Sequence, residues 1–542
     1  MFTRIIITLV SILVASVATA AQLGVTLTVS SGSPPAGTAS VPFTALHTYF
    51  ASPTGNDNND GLAPTTGGGH GPWLVATNHN VNCGDVVIAA AGSYPQQGPS
   101  GVVSNCPSTM GGIDGKGGIY FAVVLCGGAS VGDCQLTTKL PVNGITDAVF
   151  INSSNWAMEG FYCNPSLAAG AGGVPKGRCY ESNANGVILH HIAFINDISA
   201  DSLQAADTDD NGQTGAVGVD YFAVVGMIAR NSAQDPICLA AIDVVGPGVF
   251  DTLPGTHFFI NGNFSYANAN VGCRSNSDTE DYMADTWDRH NVSSQGVYSN
   301  NIGYSADRNC IQVFEQTNST STPTIKLYNN TCFKNDMNTG SDNSDAEINL
   351  NSTTNPMLWH ITIQNNLAYQ PLATSSGGHV VYAFEVAQQN ATLTNSGNFF
   401  SGAATICPGN AVCNSGSEPF SAAAFTPATS GELGTNTYAN PLYTNTADLL
   451  ANRQGVPNCS GFENTTQCMG WRATTGTLTA PSVISDLVPT ASGTSGKGYQ
   501  LPSITCAPNP DYPTWLKGIV YLHWNGVSIT ENSGLVTKPC GY

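Results

Sequence analysis

Short segments in which apolar and polar residues alternate recur along the chain and predict β-strands. TIKLY (324–328) and WHITI (359–363) alternate in this way, so successive side chains point to opposite faces of a strand. Turns rich in Gly, Asn, Asp and Ser separate these segments. No amphipathic helix with a 3.6-residue period lies between them. The pattern therefore predicts an all-β chain of many short strands.

A repeat organises these strands. In each copy a short apolar strand follows one marker residue, and the markers are Gly160, His191, Met227, Asn263, Asn301, Asn330, Asn366 and Asn398. Their spacings are 31, 36, 36, 38, 29, 36 and 32 residues. Several strands per copy and a period of this length, without helices or periodic leucines, predict a parallel β-helix. The Asn residues at matching positions are expected to stack as a hydrogen-bonded ladder at the turns.

The first coils resemble a known family. YFASPTGNDNNDGLAP (49–64) and CGDVVIAAAGSY (83–94) combine an extended strand, a Gly/Asn/Asp turn and a strand that opens with Gly-Asp. With the repeats, they resemble secreted right-handed parallel β-helix proteins of the pectate-lyase-like superfamily over roughly residues 48–400. The resemblance implies a right-handed parallel β-helix solenoid with disulfides and a capped C-terminal end. It does not specify a reaction, because one fold hosts many functions.

Both ends of the chain differ from the repeats. An apolar run over 5–17 follows Arg4 and precedes a small-x-small site at 18–20, which predicts a secretory signal peptide and an exported protein, secreted or periplasmic. No later apolar run is long enough for a membrane helix. The expected division is a signal peptide over 1–20, a linker and N-terminal cap over 21–47, the β-helix over 48–400, and final coils with a cap over 401–542. A separate binding domain is the alternative for the last segment.

Composition narrows the classes of partner. The 36 acidic and 16 basic residues give a net charge of −20, which disfavours binding to nucleic acid and to anionic membranes. The protein is expected to be a monomer. The 16 cysteines, an even number, predict disulfides. Although sequence alone leaves the connectivity open, pairing sequential neighbours gives 83/106, 126/134, 163/179, 238/273, 310/332, 407/413, 459/468 and 506/540. No zinc-spaced Cys/His cluster and no dinucleotide or phosphate-binding glycine motif occurs, so no organic cofactor is expected.

The segment RSNSDTEDYMADTWDRH (274–290) concentrates charge. Seven of its residues are charged, whereas 10% of the whole chain is. As a strand, its second half places Asp281, Asp285 and Trp287 on one face, which is expected to point outward because burying unpaired carboxylates is costly. Alignment with CIQVFEQ and AEINLNS adds as outward neighbours Cys310, Gln312, Phe314, Gln316, Glu347, Asn349 and Asn351.

These side chains predict a surface that binds a polysaccharide. Sugars stack on indole rings, hydrogen-bond to amides and need carboxyl groups for hydrolysis. Asp281 and Asp285 lie ~13 Å apart along a strand, so pairings with other carboxylates stay open. The candidate catalytic residues are Asp281, Asp285, Arg308, Glu280, Asp288 and His290. The candidate substrate-binding residues are Trp287, Arg274, Arg289, Gln312, Lys326 and Glu347.

Two reactions and two other interpretations stay open. Hydrolysis would use the carboxylates, whereas β-elimination from a uronate needs a base and a cation, for which the arginines, Lys326 and His290 are available. Neither an established lyase base motif nor the paired-Asp motif of β-helix polygalacturonases is matched. The alternatives are a surface or matrix protein that mediates glycan adhesion without catalysis, and a solvated loop whose charges pair with one another.

A second acidic motif predicts a calcium site. DTDDNG (207–212) places Asp207, Asp209 and Asn211 at alternate positions before a glycine, as in the first half of a calcium loop. Position 12 of that loop is Gly218 where a glutamate is expected. Ca²⁺ held by these three residues is therefore the hypothesis, and an exposed acidic turn is the alternative.

Overall fold

The computed structural model describes residues 44–108, 119–129, 132–136, 147–165, 177–184, 187–200, 202–209, 218–230, 232, 240–245, 255–266, 280–285, 295–304, 306, 308–315, 323–333, 346–352, 359–370, 382–386, 393–402, 404–407, 435–438, 441–442, 489–494, 497–498, 511–516, 518–520 and 522–531. The predicted signal peptide, residues 1–20, lies outside these ranges. In the described part of the chain, no helix is both long and apolar enough to cross a membrane.

The described strands form three parallel ladders in which order follows the chain. The first ladder contains Thr48–Ala51, Val86–Ala89, Ala122–Cys126, Trp156–Glu159, Ile188–Ile195, Gly218–Val225, Thr256–Asn261, Gln295–Ser299, Thr324–Tyr328, His360–Gln364 and Thr394–Gly402. The second contains Gly92–Tyr94, Cys134–Leu136, Phe161–Cys163, Ile198–Ala200, Ile228–Arg230, Phe264–Tyr266, Ile302–Tyr304, Thr331–Phe333, Leu367–Gln370, the later part of Thr394–Gly402, and Thr435–Tyr438. The third contains Val149–Ile151, Tyr180–Asn183, Ala206–Asp209, Ile242–Val245, Tyr282–Asp285, Ile311–Glu315, Ala346–Ser352, Tyr382–Val386 and Ala404–Cys407.

From residue 149 onward, each turn of the chain adds one strand to each ladder in rotation, which is the arrangement of a parallel β-helix. The predicted all-β fold is therefore confirmed. Outside the ladders, Val81–Asn82 pairs with Val103–Ser104, and Leu522–Trp524 forms an antiparallel pair with Ile529–Glu531. A 3-10 turn spans Thr514–Leu516.

Apolar side chains fill the interior of the solenoid. In Thr324–Tyr328, Ile325 and Leu327 are fully buried while their neighbours are partly exposed, as the alternation predicted. In the third ladder, Tyr282 and Ala284 join the same core. Burial of such side chains stabilises the fold by about 1.5–3 kcal/mol each.

The predicted asparagine ladder is confirmed at the turn between the first and second ladders. From Asn301 onward, each Oδ1 accepts the backbone N–H and the Nδ2–H of the asparagine one coil earlier, at 2.8–3.1 Å. The stacked residues are Asn263, Asn301, Asn330, Asn366, Asn398 and Asn436. Satisfied buried amides of this kind hold successive coils in register.

One of the early repeat markers, His191, was misaligned. Asp197, not His191, occupies the ladder position of its coil, and its Oδ1 accepts the N–H of Phe161 at 2.8 Å. Burial raises the pKa of Asp197 well above its ordinary value, and its carboxyl group stands in the place of an asparagine amide. His191 belongs to the first ladder instead.

Four of the predicted disulfides are confirmed: Cys83–Cys106, Cys126–Cys134, Cys163–Cys179 and Cys310–Cys332. The other four predicted pairs involve cysteines whose side chains lie outside the described residues. Cys163–Cys179 and Cys310–Cys332 both join the second ladder to the corner that precedes the third. These covalent links add to the side-chain ladder in fixing the stacking of the coils.

The end of the chain returns along the outer face of the first ladder. We call residues 511–516, 518–520 and 522–524 the return segment. Asp511 accepts a hydrogen bond from Lys326, Trp515 donates to the carbonyl of Thr256 at 2.8 Å, and Trp524 meets the ring of Phe50 at 6.4 Å. The segment thus runs against the direction of the coils. The predicted division of residues 401–542 into final coils and a cap stays a prediction.

Candidate functional site

A row of mostly polar residues stands in register on the outer face of the third ladder. The residues at the aligned position of successive strands are Glu181, Asp207, Asp243, Met283, Gln312, Asn349 and Glu385. Neighbouring parallel strands lie about 4.8 Å apart, so the first three carboxylates occupy consecutive coils at that spacing. We call Glu181, Asp207 and Asp243 the acidic row. Each of these three residues is 2% exposed or less.

A second row lies two residues further along the same strands and is partly exposed. Its aligned members are Val245, Asp285, Phe314 and Asn351, which we call the accessible row. An aromatic ring, a carboxylate and an amide therefore reach solvent on consecutive coils. These are the side chains that bind sugars by stacking and hydrogen bonding.

One guanidinium serves two members of the acidic row. Arg178 Nη1 lies 3.3 Å from Glu181 Oε1 and 3.2 Å from Asp207 Oδ2. Asn183 Nδ2 also donates to Glu181 Oε1 at 2.7 Å, and Gln204 Nε2 donates to Asp243 Oδ2 at 3.4 Å. The row is therefore a hydrogen-bonded network with more carboxyl groups than cations.

Burial is the largest of the causes that together raise the pKa of Glu181 to about 9. The hydrogen bond and the charge of Asp147 and the charge of Asp207 also raise this pKa, whereas the cation of Arg178 lowers it. Glu181 therefore keeps its proton at neutral pH. A protonated carboxyl beside a carboxylate that is paired with arginine is the combination needed for general acid–base chemistry.

The register predicted around the charged segment is correct. Met283 pairs with Gln312 and Asp285 with Phe314, and the next coil follows in the same alignment. Asp285 points outward and is partly exposed, as expected. Gln312 also points outward, but it is only 2% exposed.

The outward orientation predicted for Asp281 is wrong. Ser265, an inward residue of the second ladder, donates its Oγ–H to Asp281 Oδ1 at 2.7 Å. A Cβ atom on Gly303 would come within 2.6 Å of Asp281 Oδ2. Asp281 precedes Tyr282–Asp285 at the corner between two ladders, where the alternation of a strand no longer holds.

The outward orientations predicted for Glu347 and Cys310 are wrong for the same reason. Glu347 Oε1 accepts Gln370 Nε2–H at 3.1 Å, and a carboxylate oxygen of Glu347 lies within 4.8 Å of both sulfurs of Cys310–Cys332. All four residues are fully buried. They lie at the corner between the second and third ladders, not on the outer surface.

Glu280 and Arg308 form a buried pair. Arg308 Nη1 lies 3.7 Å from Glu280 Oε1, which also accepts Asn309 Nδ2–H at 3.4 Å. Glu280 is fully buried and Arg308 is 5% exposed. Neither side chain presents an open charge on the surface, and their catalytic roles stay predictions.

Lys326 lies on a different face from Asp285. It points outward, as predicted, but its strand belongs to the first ladder and its Nζ binds Asp511 Oδ1 at 2.8 Å. Each coil contributes strands to three ladders, so outward residues of one coil do not share one surface. The placement of Lys326 beside the carboxylates of the charged segment is therefore wrong.

Several predicted site residues lie outside the described residues: Arg274, Trp287, Asp288, Arg289, His290 and Asn211. Of the predicted calcium ligands, Asp207 lies in the strand Ala206–Asp209 and pairs with Arg178. The side chain of Asp209 also lies outside the description. The calcium site stays a prediction.

Sequence reasoning missed the acidic row as a unit. Its strands read YESN, ADTD and IDVV, each with an acidic residue at the second position. Aligning the repeats on the asparagine turn left these strands unaligned, because the loops between the ladders vary in length. Alignment on the third strand of each coil would have found the row.

No protein-family model and no curated protein matches the chain. Among solved structures, a rhamnogalacturonan lyase is similar with a TM-score of 0.35 and 12% identity, over 73% of this chain and 90% of that chain. The pectate lyase Pel9A has a TM-score of 0.37 and 12% identity, over 77% and 89%. The Dettilon tailspike protein has a TM-score of 0.30 and 10% identity, over 66% and 63%. The fold assignment rests on the three ladders themselves.

Proposed function

We propose that the chain binds a polysaccharide on the outer face of the third ladder and hydrolyses it with the acidic row. The observation that carries this proposal is the register of Glu181, Asp207 and Asp243, in which Arg178 pairs with the first two. Carboxyl groups whose surroundings separate their protonation states are what glycoside hydrolysis requires.

Glu181 takes the role of general acid in this proposal. Its proton, retained at neutral pH, is transferred to the glycosidic oxygen as the bond to the leaving sugar breaks. The second carboxylate is Asp207 or Asp243. The backbone of Glu181 lies one strand spacing, about 4.8 Å, from that of Asp207 and two spacings, about 10 Å, from that of Asp243. Asp207 would therefore suit the closer retaining arrangement and Asp243 the wider inverting one.

The accessible row supplies binding. Phe314 offers a ring for stacking, and Asp285 and Asn351 offer hydrogen bonds to hydroxyl groups. Because the row follows the axis of the solenoid, an extended glycan lying along that axis would contact several coils. The proposed calcium ligand Asp207 belongs to the acidic row, so dependence on Ca²⁺ is part of the same test.

Glycan adhesion without cleavage is the second candidate. It is favoured by the contrast in exposure on this face, since the acidic row is almost completely buried while the accessible row reaches solvent. In that case the carboxylates would only support the ladder whose strands present Asp285 and Phe314.

The test uses the protein from residue 21 to 542 with neutral and uronate polysaccharides, with and without Ca²⁺. Release of reducing ends without ultraviolet absorbance is expected, because hydrolysis forms no unsaturated product. The anomeric configuration of the first product identifies the second carboxylate, since retention assigns Asp207 and inversion assigns Asp243. Substitution of the assigned aspartate by asparagine should then abolish the release of reducing ends.

Glu385→Gln is the matched control, since Glu385 lies in the same aligned position four coils beyond Asp243. Its turnover should equal that of the unmodified chain. Reducing ends together with ultraviolet absorbance would replace hydrolysis by β-elimination. Binding without either signal would favour adhesion, and neither binding nor turnover across the panel would contradict a polysaccharide function.

A further inference from the structure

The Cys310–Cys332 disulfide is bordered by buried carboxyl groups. A carboxylate oxygen of Glu347 and the two sulfur atoms all lie within 4.8 Å of one another. On the other side, a Cβ on Gly303 would be 2.4 Å from Cys310 Sγ and 2.6 Å from Asp281 Oδ2, so the glycine leaves room between them. These residues are buried inside the solenoid.

The register explains why these groups converge. The N–H of Tyr282 donates to the carbonyl of Cys310, and the N–H of Cys310 donates to that of Glu347, so Asp281, Cys310 and Glu347 hold equivalent corner positions in three successive coils. Cys332 faces this column from the second ladder. The column therefore places one sulfur between two carboxyl groups, with a second sulfur beside it.

We propose that Cys310, Cys332 and Glu347 form a divalent metal site, selective for Zn²⁺, when the disulfide is reduced. Two thiolates and one carboxylate are a donor set that zinc accepts in tetrahedral geometry, and Asp281 is the nearest candidate for the fourth ligand. Gln370 and Ser265 donate hydrogen bonds to the two carboxyl groups and would orient them as outer partners of the metal.

Reduction converts the Cys310–Cys332 disulfide into the two thiols that bind the metal. A dithiol reductant transfers two electrons and two protons to the disulfide, which yields two thiols here and one disulfide in the reductant. Zn²⁺ then displaces the two thiol protons as it binds. The disulfide and the bound metal would each link the same two coils. The metal would therefore hold the corner together in a chain whose cysteines are not yet oxidised.

Sequence spacing could not indicate this site. Cys310, Cys332 and Glu347 are separated by 22 and 15 residues, outside any short zinc-binding motif. Only the stacking of coils brings them together.

The experiment titrates the dithiol-reduced full chain anaerobically with Co²⁺ and Zn²⁺. One Co²⁺ per chain, with a thiolate-to-cobalt charge-transfer band, is expected, and Zn²⁺ should displace it. The oxidised chain should show no band. Zinc should also raise the thermal midpoint of the reduced chain, followed by circular dichroism of its β-structure.

Matched variants locate the site. Cys163→Ser/Cys179→Ser removes the other disulfide between the second ladder and its corner and should keep the cobalt band. Cys310→Ser/Cys332→Ser should abolish it, and Glu347→Gln should weaken metal binding by at least about tenfold. A band of equal strength in Cys310→Ser/Cys332→Ser would overturn the proposal. So would a reduced chain that gains neither the band nor thermal stability from metal.

Discussion

The outer faces of the first and third ladders belong to the same coils but differ in what covers them. On the first, apolar side chains such as Val123, Phe259 and Val297 pack under the return segment, which contributes Trp515 and Ile519. On the third, carboxylates and amides stand in register, and part of that surface reaches solvent. One face therefore serves as an additional core, while the other presents chemical groups.

Rings reinforce the covered face. His191 lies between the rings of Tyr120 and Tyr221, with centroids 4.6 Å and 4.7 Å away, and Tyr221 stacks on His257 at 4.3 Å. His191 and Tyr221 have φ angles of 56° and 51°, and the ladder pairing is interrupted at these two residues without a change of register. Trp515 meets both rings edge-on at 5.7 Å.

Strand alternation determines which side chains point away from the interior of the solenoid, but it does not determine what packs against them. The first face is apolar, so leaving it in water would be unfavourable, and the end of the chain covers it. The third face is polar, and its accessible row reaches solvent, so this row is the better place for a ligand.

The largest expected effect is on the covered face. Trp515→Ala removes an indole that contacts His191 and Tyr221 and donates to the carbonyl of Thr256. The free energy of unfolding should fall by about 3–5 kcal/mol, measured in denaturant. Trp524→Ala, at a partly exposed ring, is the matched control and should lose less. Equal losses would mean that the return segment is not anchored at Trp515.

In the acidic row, by contrast, removing an ionisable carboxyl group should raise stability at high pH while it lowers activity. The pKa of Glu181 is raised from 4.5 to about 9, so its contribution to stability is full below pH 4.5 and is lost as pH rises toward 9. Glu181→Gln should therefore unfold at a higher temperature than the unmodified chain at pH 9 and at a similar temperature at pH 4. A stability difference that does not change with pH would contradict the raised pKa.

The covered face should respond to pH in the opposite direction. Burial lowers the pKa of His191 well below 6.5, and the charges of His190 and His257 lower it further. The unfolded chain therefore binds a proton that the folded chain does not, so stability falls as pH drops below about 6.5. His191→Phe, which keeps a ring in the stack, should flatten this acid limb in thermal unfolding between pH 7 and 4. An unchanged acid limb would place the responsible group elsewhere.

The smallest expected effect concerns the ion pair that fixes the start of the return segment. Asp511 accepts hydrogen bonds from Lys326 and Tyr328, and the lysine side chain is 29% exposed. Because solvent screens this pair, Asp511→Asn should lower the free energy of unfolding by about 1 kcal/mol or less. The loss should shrink further in high salt, and a salt-independent loss would show that hydrogen bonding, not charge, dominates.

Sequence patterns predicted the repeating features and failed where position depends on distant contacts. The asparagine ladder and the pairing of Asp285 with Phe314 follow from local spacing, and both were predicted. Asp281 was misplaced because strand alternation ends at a corner. The path of the return segment has no local signal, since Asp511 meets Lys326 across 185 residues.

Part of the candidate surface followed from the sequence. Asp285, Phe314 and Asn351 were expected to point outward on adjacent coils, and they form the accessible row, whereas the expected stacking residue Trp287 lies outside the described residues. The acidic row was missed, because its members are 26 and 36 residues apart and the repeats were aligned on the asparagine turn, with variable loops between the ladders. Their common surface appears only when strands are assigned to ladders.

The most direct test compares turnover after one change on each face. Glu181→Gln and Asp511→Asn each neutralise one carboxyl group, and both proteins would be assayed for reducing-end release on the best substrate of the panel at pH 7. The rate of reducing-end release should fall by about 10²–10⁴-fold in Glu181→Gln, the usual contribution of a general acid, and should be unchanged in Asp511→Asn. Full turnover by Glu181→Gln, or an equal loss in both, would contradict the assignment of chemistry to the third ladder.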